Sequence, residues 1–371
     1  MLTQEKPIRR VLMTADAVGG VWTYALDLCS ALDKSGITVC LALMGAHASK
    51  KQLEEAAKIP NLVIHQSDYK LEWMHEPWAD VELAAGWLLK LESTFKPDII
   101  HLNGYVHASI AWSAPVVVVA HSCVLSWWQA VKHEPAPNEW TAYKNAVQRG
   151  LRAANAVVSI SQSYSNEIQR IYGPLNNLRV IYNGRDSHLL RSAEKKMKAF
   201  AMGRIWDEAK NLPMLAELTN RHNIPIVIAG NNNHPDTGTS ISIPNVTLAG
   251  ILSPAEVSEH LPESYIYIMP AKYEPFGLSV LEAALSGCLL LLADIPTFRE
   301  LWSDAALFFN PNDPLELDQL LDYVILHPVE CGQMIERSSK RSKNLSLENM
   351  ANSYVSLYKS LIREEQFAIS S

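Results

Sequence analysis

Short apolar runs alternate with stretches of helical spacing along the whole chain. In the first half these runs occupy residues 10–14, 38–44, 62–65, 98–102, 116–120, 156–160 and 179–182. In the second half they occupy 198–202, 225–229, 246–248, 265–269, 289–293 and 306–309. Their β-branched and Leu-rich composition predicts strands. Strands alternating with helices predict an α/β fold of parallel sheets covered by helices on both faces. Residues 185–197 carry no clear apolar period and divide the pattern into two similar halves, so two α/β domains in tandem are expected, with a ligand between them. Near the end, Leu347, Met350, Tyr354, Leu357 and Leu361 keep the spacing of an amphipathic helix.

The bulk properties agree with that organisation and narrow the function. A length of 371 residues suits about two domains. The net charge of −7 argues against broad binding to nucleic acid or to an anionic membrane surface. Lys195, Lys196 and Lys198 form the densest basic cluster and read as a solvated linker. Five cysteines lie scattered without a Cys-x-x-Cys pair, the pattern of a reducing compartment. No apolar run approaches the roughly 20 residues of a membrane span, and the N-terminus lacks a signal architecture. The expected location is cytoplasmic, with peripheral contact at the inner face of a membrane left open.

The most informative stretch is Tyr273-Glu-Pro-Phe-Gly-Leu-Ser-Val-Leu-Glu-Ala-Ala-Leu-Ser-Gly287, which lies between two apolar runs. Pro275 and Gly277 place a helix start, where free backbone N–H groups and the positive dipole end favour an anion. Glu274 precedes that start and Glu282 lies within the helix. Carboxylates beside an anion site suit hydroxyl groups, which they accept in charge-assisted hydrogen bonds. Phosphate in the middle with polyols on both sides describes a nucleotide sugar.

Three further loops follow predicted strands. Gly19-Gly20 lets the backbone approach a phosphate at a helix start, although Gly-x-Gly-x-x-Gly is absent. Arg204 offers a bidentate fork and Lys210 a mobile point charge, a pairing suited to a diphosphate. Surface pairing of these two with Asp207 or Glu208 is the alternative. His121 stands at the end of the run 116–120, where ligands of parallel sheets bind; a satisfied core histidine is the alternative. His101 and His107, six apart, fit no helical metal pair, so no metal site is expected.

Taken together, the Glu-Pro-Phe-Gly-x4-Glu-Ala-x3-Gly context, Gly19-Gly20, Arg204 with Lys210, and His121 resemble the retaining glycosyltransferases of family 4, with their Glu-x7-Glu motif and GT-B fold. The resemblance implies two Rossmann-like parallel-sheet domains facing each other across a cleft. The N-terminal acceptor domain would span 1–185, a linker 186–197 and the nucleotide-sugar donor domain 198–345. A helix at 346–371 would cross back to the first domain; its periodicity alone fits equally a helix packed on its own domain.

The implied reaction is metal-independent transfer of a sugar, with retention, to an acceptor hydroxyl in polysaccharide or glycoconjugate synthesis. Glu274, His121, Arg204 and Lys210 would be the catalytic set. The donor would meet Gly19, Gly20, Ile251, Phe276, Gly277, Leu278, Ser279 and Glu282 as well, with Glu282 on the ribose and the loop 249–253 reading the base. The nucleotide sugar is a co-substrate, no cofactor is implied, and the acceptor is a carbohydrate or glycolipid. Two rivals stay open at this stage: a nucleotide-sugar epimerase of the same fold and a non-catalytic nucleotide-sugar-binding protein. Trp127, Trp128 and Trp140 depart from the family pattern and read either as an acceptor subsite or as a packed loop.

Overall fold

The computed structural model describes residues 7–186, 193–233 and 238–370, with side chains of the last helix described to residue 366. A strand forms at each of the apolar runs. In the first half these are β1 Arg10–Ala15, β2 Thr38–Leu43, β3 Leu62–Gln66, β4 Ile99–Leu102, β5 Val116–Ala120, β6 Ala156–Ser159 and β7 Leu178–Val180. In the second they are β8 Lys196–Met202, β9 Ile226–Ala229, β10 Thr247–Gly250, β11 Ser264–Met269, β12 Leu289–Ala293 and β13 Leu307–Phe309.

The chain divides into two compact units. One comprises Met1–Ser126, Pro135–Gly184 and Leu347–Ser371, the other Trp127–Glu134 and Arg185–Ser346. The first unit holds a seven-stranded parallel sheet in the order β3-β2-β1-β4-β5-β6-β7. The second holds a six-stranded parallel sheet in the order β10-β9-β8-β11-β12-β13. Both are doubly wound, and chain order reverses at β1/β4 in one and at β8/β11 in the other. The central strands are buried on both faces: every residue of β5 and of β12 is at most 4% exposed. Such a sheet leaves only its strand ends open to a ligand, and the reversal point parts the loops that follow the carboxyl ends.

The second unit's core gathers Ala199, Ile228, Ile266, Ile268, Leu289 and Leu291 from neighbouring strands. In the first unit the helix Leu347–Ser370 packs on the helix Gly20–Lys34. Tyr354 and Tyr358 of that last helix are fully buried, and the Tyr354 ring lies 6.2 Å from that of Tyr24. All five cysteines are buried. Among the described residues, no helix is long and apolar enough to cross a membrane.

The expected linker 186–197 needs correction at its far end. Its residues 187–192 lie outside the described residues, and Lys196 and Met197 already belong to β8. The basic cluster is only partly solvated: Lys196 is exposed, while Lys195 and Lys198 are half-buried. The Lys195 ammonium donates to the carbonyls of Ser264 at 2.8 Å and Ser286 at 2.7 Å. Burial lowers its pKa despite the nearby Cys288 thiol. Lys196 and Lys198 both pair with Glu263, at 3.1 and 3.0 Å. Polar composition hid only the first two residues of β8, Lys196 and Met197.

One close approach fixes the loop after β4. Gly150 lies in the helix Thr141–Ala153, and a Cβ there would stand 1.9 Å from the carbonyl oxygen of Tyr105. Gly150→Ala is therefore expected to destabilise the first unit by about 1–3 kcal/mol through overpacking, although alanine favours a helix. Thermal unfolding checks this; an unchanged or raised melting temperature would show that the backbones can part.

Candidate active site

In the second unit, two segments leave the carboxyl ends of β8 and β11 side by side at the reversal point. Residues 203–210 follow β8 and residues 270–277 follow β11. They are stitched together by the Lys272 N–H donating to the Ala209 carbonyl at 2.8 Å. Across that stitch the Lys210 ammonium donates to Glu274 Oε2 at 2.5 Å, with both side chains less than 20% exposed. Two residues singled out on separate loops are thus in direct contact.

Arg204 takes the alternative pairing. Its Nη2 donates to Asp207 Oδ2 at 2.6 Å and its Nε to the same oxygen at 3.2 Å. Burial alone would raise the Asp207 carboxyl's pKa, but the charges of Arg204 and Lys210 and the Ala209 N–H hold it below the usual range. The partner is a buried carboxylate, so the pairing fixes the guanidinium while leaving its side chain 44% exposed.

The helix Leu278–Leu285 begins immediately after Gly277, whose φ of +90° lies in the left-handed region. A Cβ there would also come within 3.1 Å of the Phe298 ring. Glycine is what lets the chain turn so sharply from Glu274 into a helix. Phe276 is buried, and Leu278 and Ser279 occupy the first turn, where backbone N–H groups have no intrahelical acceptor. Ile251 stands apart from this group, just past β10, with its side chain 76% exposed.

Glu282 is buried within the same helix, and its Oε1 pairs with Arg185 Nη2 at 2.6 Å. Sequence reasoning missed Arg185, because it stands at the head of the stretch 185–197 without apolar period and its partner is far along the chain. The Arg185 N–H also donates to the Leu345 carbonyl at 3.1 Å, which anchors its backbone.

The first unit positions Gly19, Gly20 and His121. Gly19 precedes the helix Gly20–Lys34 as its cap residue, and Asp16 Oδ1 accepts from the Val18 N–H at 2.9 Å in the loop before it. His121 follows β5. Its Nε2 meets Asn103 Oδ1 at 2.8 Å, while the Asn103 amide donates to the Thr14 carbonyl at 2.7 Å. That second bond fixes the amide's orientation, so His121 Nε2 carries the proton and Nδ1 is the acceptor.

The Tyr24 ring packs edge-on against His121 at 4.6 Å. Behind it His101 is wholly buried, with Nδ1 2.6 Å from the Tyr358 hydroxyl and Nε2 3.2 Å from that of Tyr24. His101 is the satisfied core histidine of the set. Trp127 and Trp128 lie edge to face at 5.8 Å on the helix Val124–Lys132. Among the described residues no group of three or more His, Cys, Asp or Glu side chains is arranged to hold a metal ion.

Two expectations follow. Burial depresses the His101 pKa to about 3, with His121 beside it acting in the same direction, and burial lowers that of His121 as well. The unfolded chain then binds more protons between about pH 6.5 and pH 3, so stability should decline as pH falls through that window. NMR of the imidazole protons should show no titration of His101 between pH 8 and pH 5; a step near pH 6.5 would refute the enclosure. Arg185→Met strands a buried carboxylate and should destabilise by about 3 kcal/mol, most of it recovered in the double variant with Glu282→Gln. Denaturant unfolding of the two variants measures that recovery.

Two family descriptions match consecutive parts of the chain: Glycosyltransferase Family 4 over residues 18–189 and Glycosyl transferases group 1 over residues 190–341. The O-antigen biosynthesis glycosyltransferase WclY of Escherichia coli is 25% identical over 164 residues, 41% of this chain. That match spans less than half, 43%, of the relative's length. Among solved structures, sucrose-phosphate synthase from Thermosynechococcus elongatus superposes with a TM-score of 0.78 at 15% identity, covering 96% of this chain and 100% of that one. Anabaena Alr3699/HepE in complex with UDP-glucose gives 0.75 at 16% identity, covering 95% and 100%. Such low identities speak for the fold alone. With both family descriptions matched in order and the fold shared, the chain belongs to the family 4 type of GT-B glycosyltransferases.

Proposed function

We propose that the protein transfers a sugar from a nucleotide-sugar donor to an acceptor hydroxyl, with retention, in the synthesis of a polysaccharide or glycoconjugate. The contact between Lys210 and Glu274 at the reversal point of the second sheet carries the reading. A cation and a carboxylate held 2.5 Å apart beside a helix N-terminus match a ligand whose phosphates adjoin a sugar. The UDP-glucose complex of HepE supplies an instance of such a ligand on the same fold.

In this reading the bond from the sugar's anomeric carbon to the diphosphate oxygen breaks and a bond to the acceptor oxygen forms on the same face. The acceptor's proton passes to the departing phosphate, and the nucleoside diphosphate leaves. Arg204, Lys210 and the N–H groups at the start of helix Leu278–Leu285 stabilise the growing negative charge without a metal. Glu274 and the N–H groups of Phe276 and Gly277 hold sugar hydroxyls, and Glu282, steadied by Arg185, accepts from the ribose. His121 of the first unit, neutral and with Nδ1 as acceptor, is suited to accept from a hydroxyl and is no general acid. Ile251, just past β10, lies in the loop that meets the base.

A thermal-shift screen of uridine, guanosine and adenosine diphosphate sugars identifies the donor, since a bound ligand raises stability by mass action. Lys210→Ala and Glu274→Ala should each lower kcat/KM for that donor about 10²–10³-fold, the scale of losing one electrostatic contact in a transition state. Transfer undiminished in Glu274→Ala would sink the assignment.

A further inference from the structure

Strand β11 sends alternate side chains to opposite faces of the second sheet. Ile266 and Ile268 enter the core cluster of the second unit. Tyr267 leaves on the other face, its ring 6.4 Å from that of Phe200 on β8. Tyr267 is 0% exposed, yet its hydroxyl has no hydrogen-bond partner among the described residues. A buried phenol normally finds one, because leaving a polar group dry and unpaired costs stability. Phenylalanine would fill the same space without that cost.

The surroundings of that hydroxyl belong to the candidate active site. Burial pushes its pKa well above the usual phenol range; nearby Ser279 acts in the opposite direction, and the charges of Glu282 and Glu274 add to the rise. The group therefore stays protonated and keeps a hydrogen to donate. Ser279 stands near enough to act on the phenol, but the two hydroxyls do not meet in hydrogen-bonding geometry. Ser279 is half-buried in the first turn of the helix Leu278–Leu285, so it borders the interior on one side and the helix start on the other. Glu274 is already paired with Lys210, and Glu282 with Arg185. Of the three neighbours, Ser279 alone can accept through its oxygen and donate through its hydrogen at once.

We propose that Tyr267 is a positioning residue for the donor's diphosphate: its hydroxyl donates to Ser279 Oγ, which turns the Ser279 O–H outwards onto a phosphate oxygen at the helix start. A phosphate oxygen only accepts, so a serine that meets it must donate there and can still accept from behind. Hydrogen bonds to a charged acceptor are the stronger kind, and the helix N-terminus favours the same anion. Tyr267 itself touches no ligand and acts through Ser279. The protein without donor is then less stable than phenylalanine would make it, in exchange for a hydroxyl aimed in advance. The proposal rests on the transferase reading above and adds a residue from the strand beneath its loops.

The test compares Tyr267→Phe, Ser279→Ala and the double variant with the unaltered full chain, using inorganic pyrophosphate as the probe in titration calorimetry. Tyr267→Phe should bind pyrophosphate about tenfold more weakly, the scale of one charge-assisted hydrogen bond, while its melting temperature without ligand rises by about 2–4 °C. The opposite signs separate aiming from packing, because a merely structural tyrosine would lower both or leave binding alone. The double variant should bind as weakly as Ser279→Ala and no more weakly, since Tyr267 acts only through Ser279. Unchanged pyrophosphate affinity in Tyr267→Phe overturns the proposal. So does a double variant whose losses add, a melting temperature that falls together with the affinity, or absence of pyrophosphate binding by the unaltered chain. Binding of UDP-glucose, GDP-glucose and ADP-glucose to the unaltered chain is measured alongside. If none binds while pyrophosphate binding still depends on Tyr267, the transferase reading fails and the phosphate seat stands; if one binds and Tyr267→Phe changes nothing, only the role of Tyr267 is wrong.

Discussion

Burial of parallel strands on both faces is the constraint from which the rest follows. With β5 and β12 closed to solvent along their whole length, neither sheet can offer a side chain to a ligand from its middle. Chemistry is pushed to the carboxyl ends, and the reversal of strand order decides which ends part to admit a ligand. The segments carrying Lys210 and Glu274 leave adjacent strands on either side of that reversal, as do the segments carrying Asp16 and Asn103 in the first unit. The sites are products of winding before they are products of particular residues.

The two units solve their electrostatics differently. In the second, charge is kept and compensated: Lys210 with Glu274, Arg204 with Asp207, and Arg185 with Glu282 are ion pairs at 2.5 to 2.6 Å. A buried pair stabilises only while both members stand, which makes such a site sensitive to single substitutions. In the first unit, burial strips charge from His101 and His121, and tyrosine hydroxyls complete the hydrogen bonds of His101. A neutral imidazole can donate through one nitrogen and accept through the other, which suits hydroxyl recognition better than anion binding.

Much of this was legible in the residues. Every strand lies at a predicted apolar run because buried parallel strands need such runs, and Gly277 marked its helix start because no other residue turns there without strain. Contacts between distant segments were not legible. Arg185 looked like the start of the aperiodic stretch between the halves, since nothing local shows that Glu282 will stand opposite it. Lys195 looked solvated because its partners are backbone carbonyls, which every residue possesses and no composition reveals. Glu72 and Trp73 sit in a stretch without apolar period, so only the fold shows that they wall a cavity with Asn103 and His121.

The burial of Tyr354 and Tyr358 against Tyr24 and His101 has a consequence in time. The first unit is discontinuous: its last helix follows the whole of Arg185–Ser346 in the chain. As the polypeptide emerges from the ribosome, the early sheet must therefore wait with Tyr24 and His101 uncovered while the later unit is made in full. Maturation runs backwards with respect to synthesis, the unit begun second being finished first. The imidazole at the heart of the earlier one is sealed only when the tail arrives.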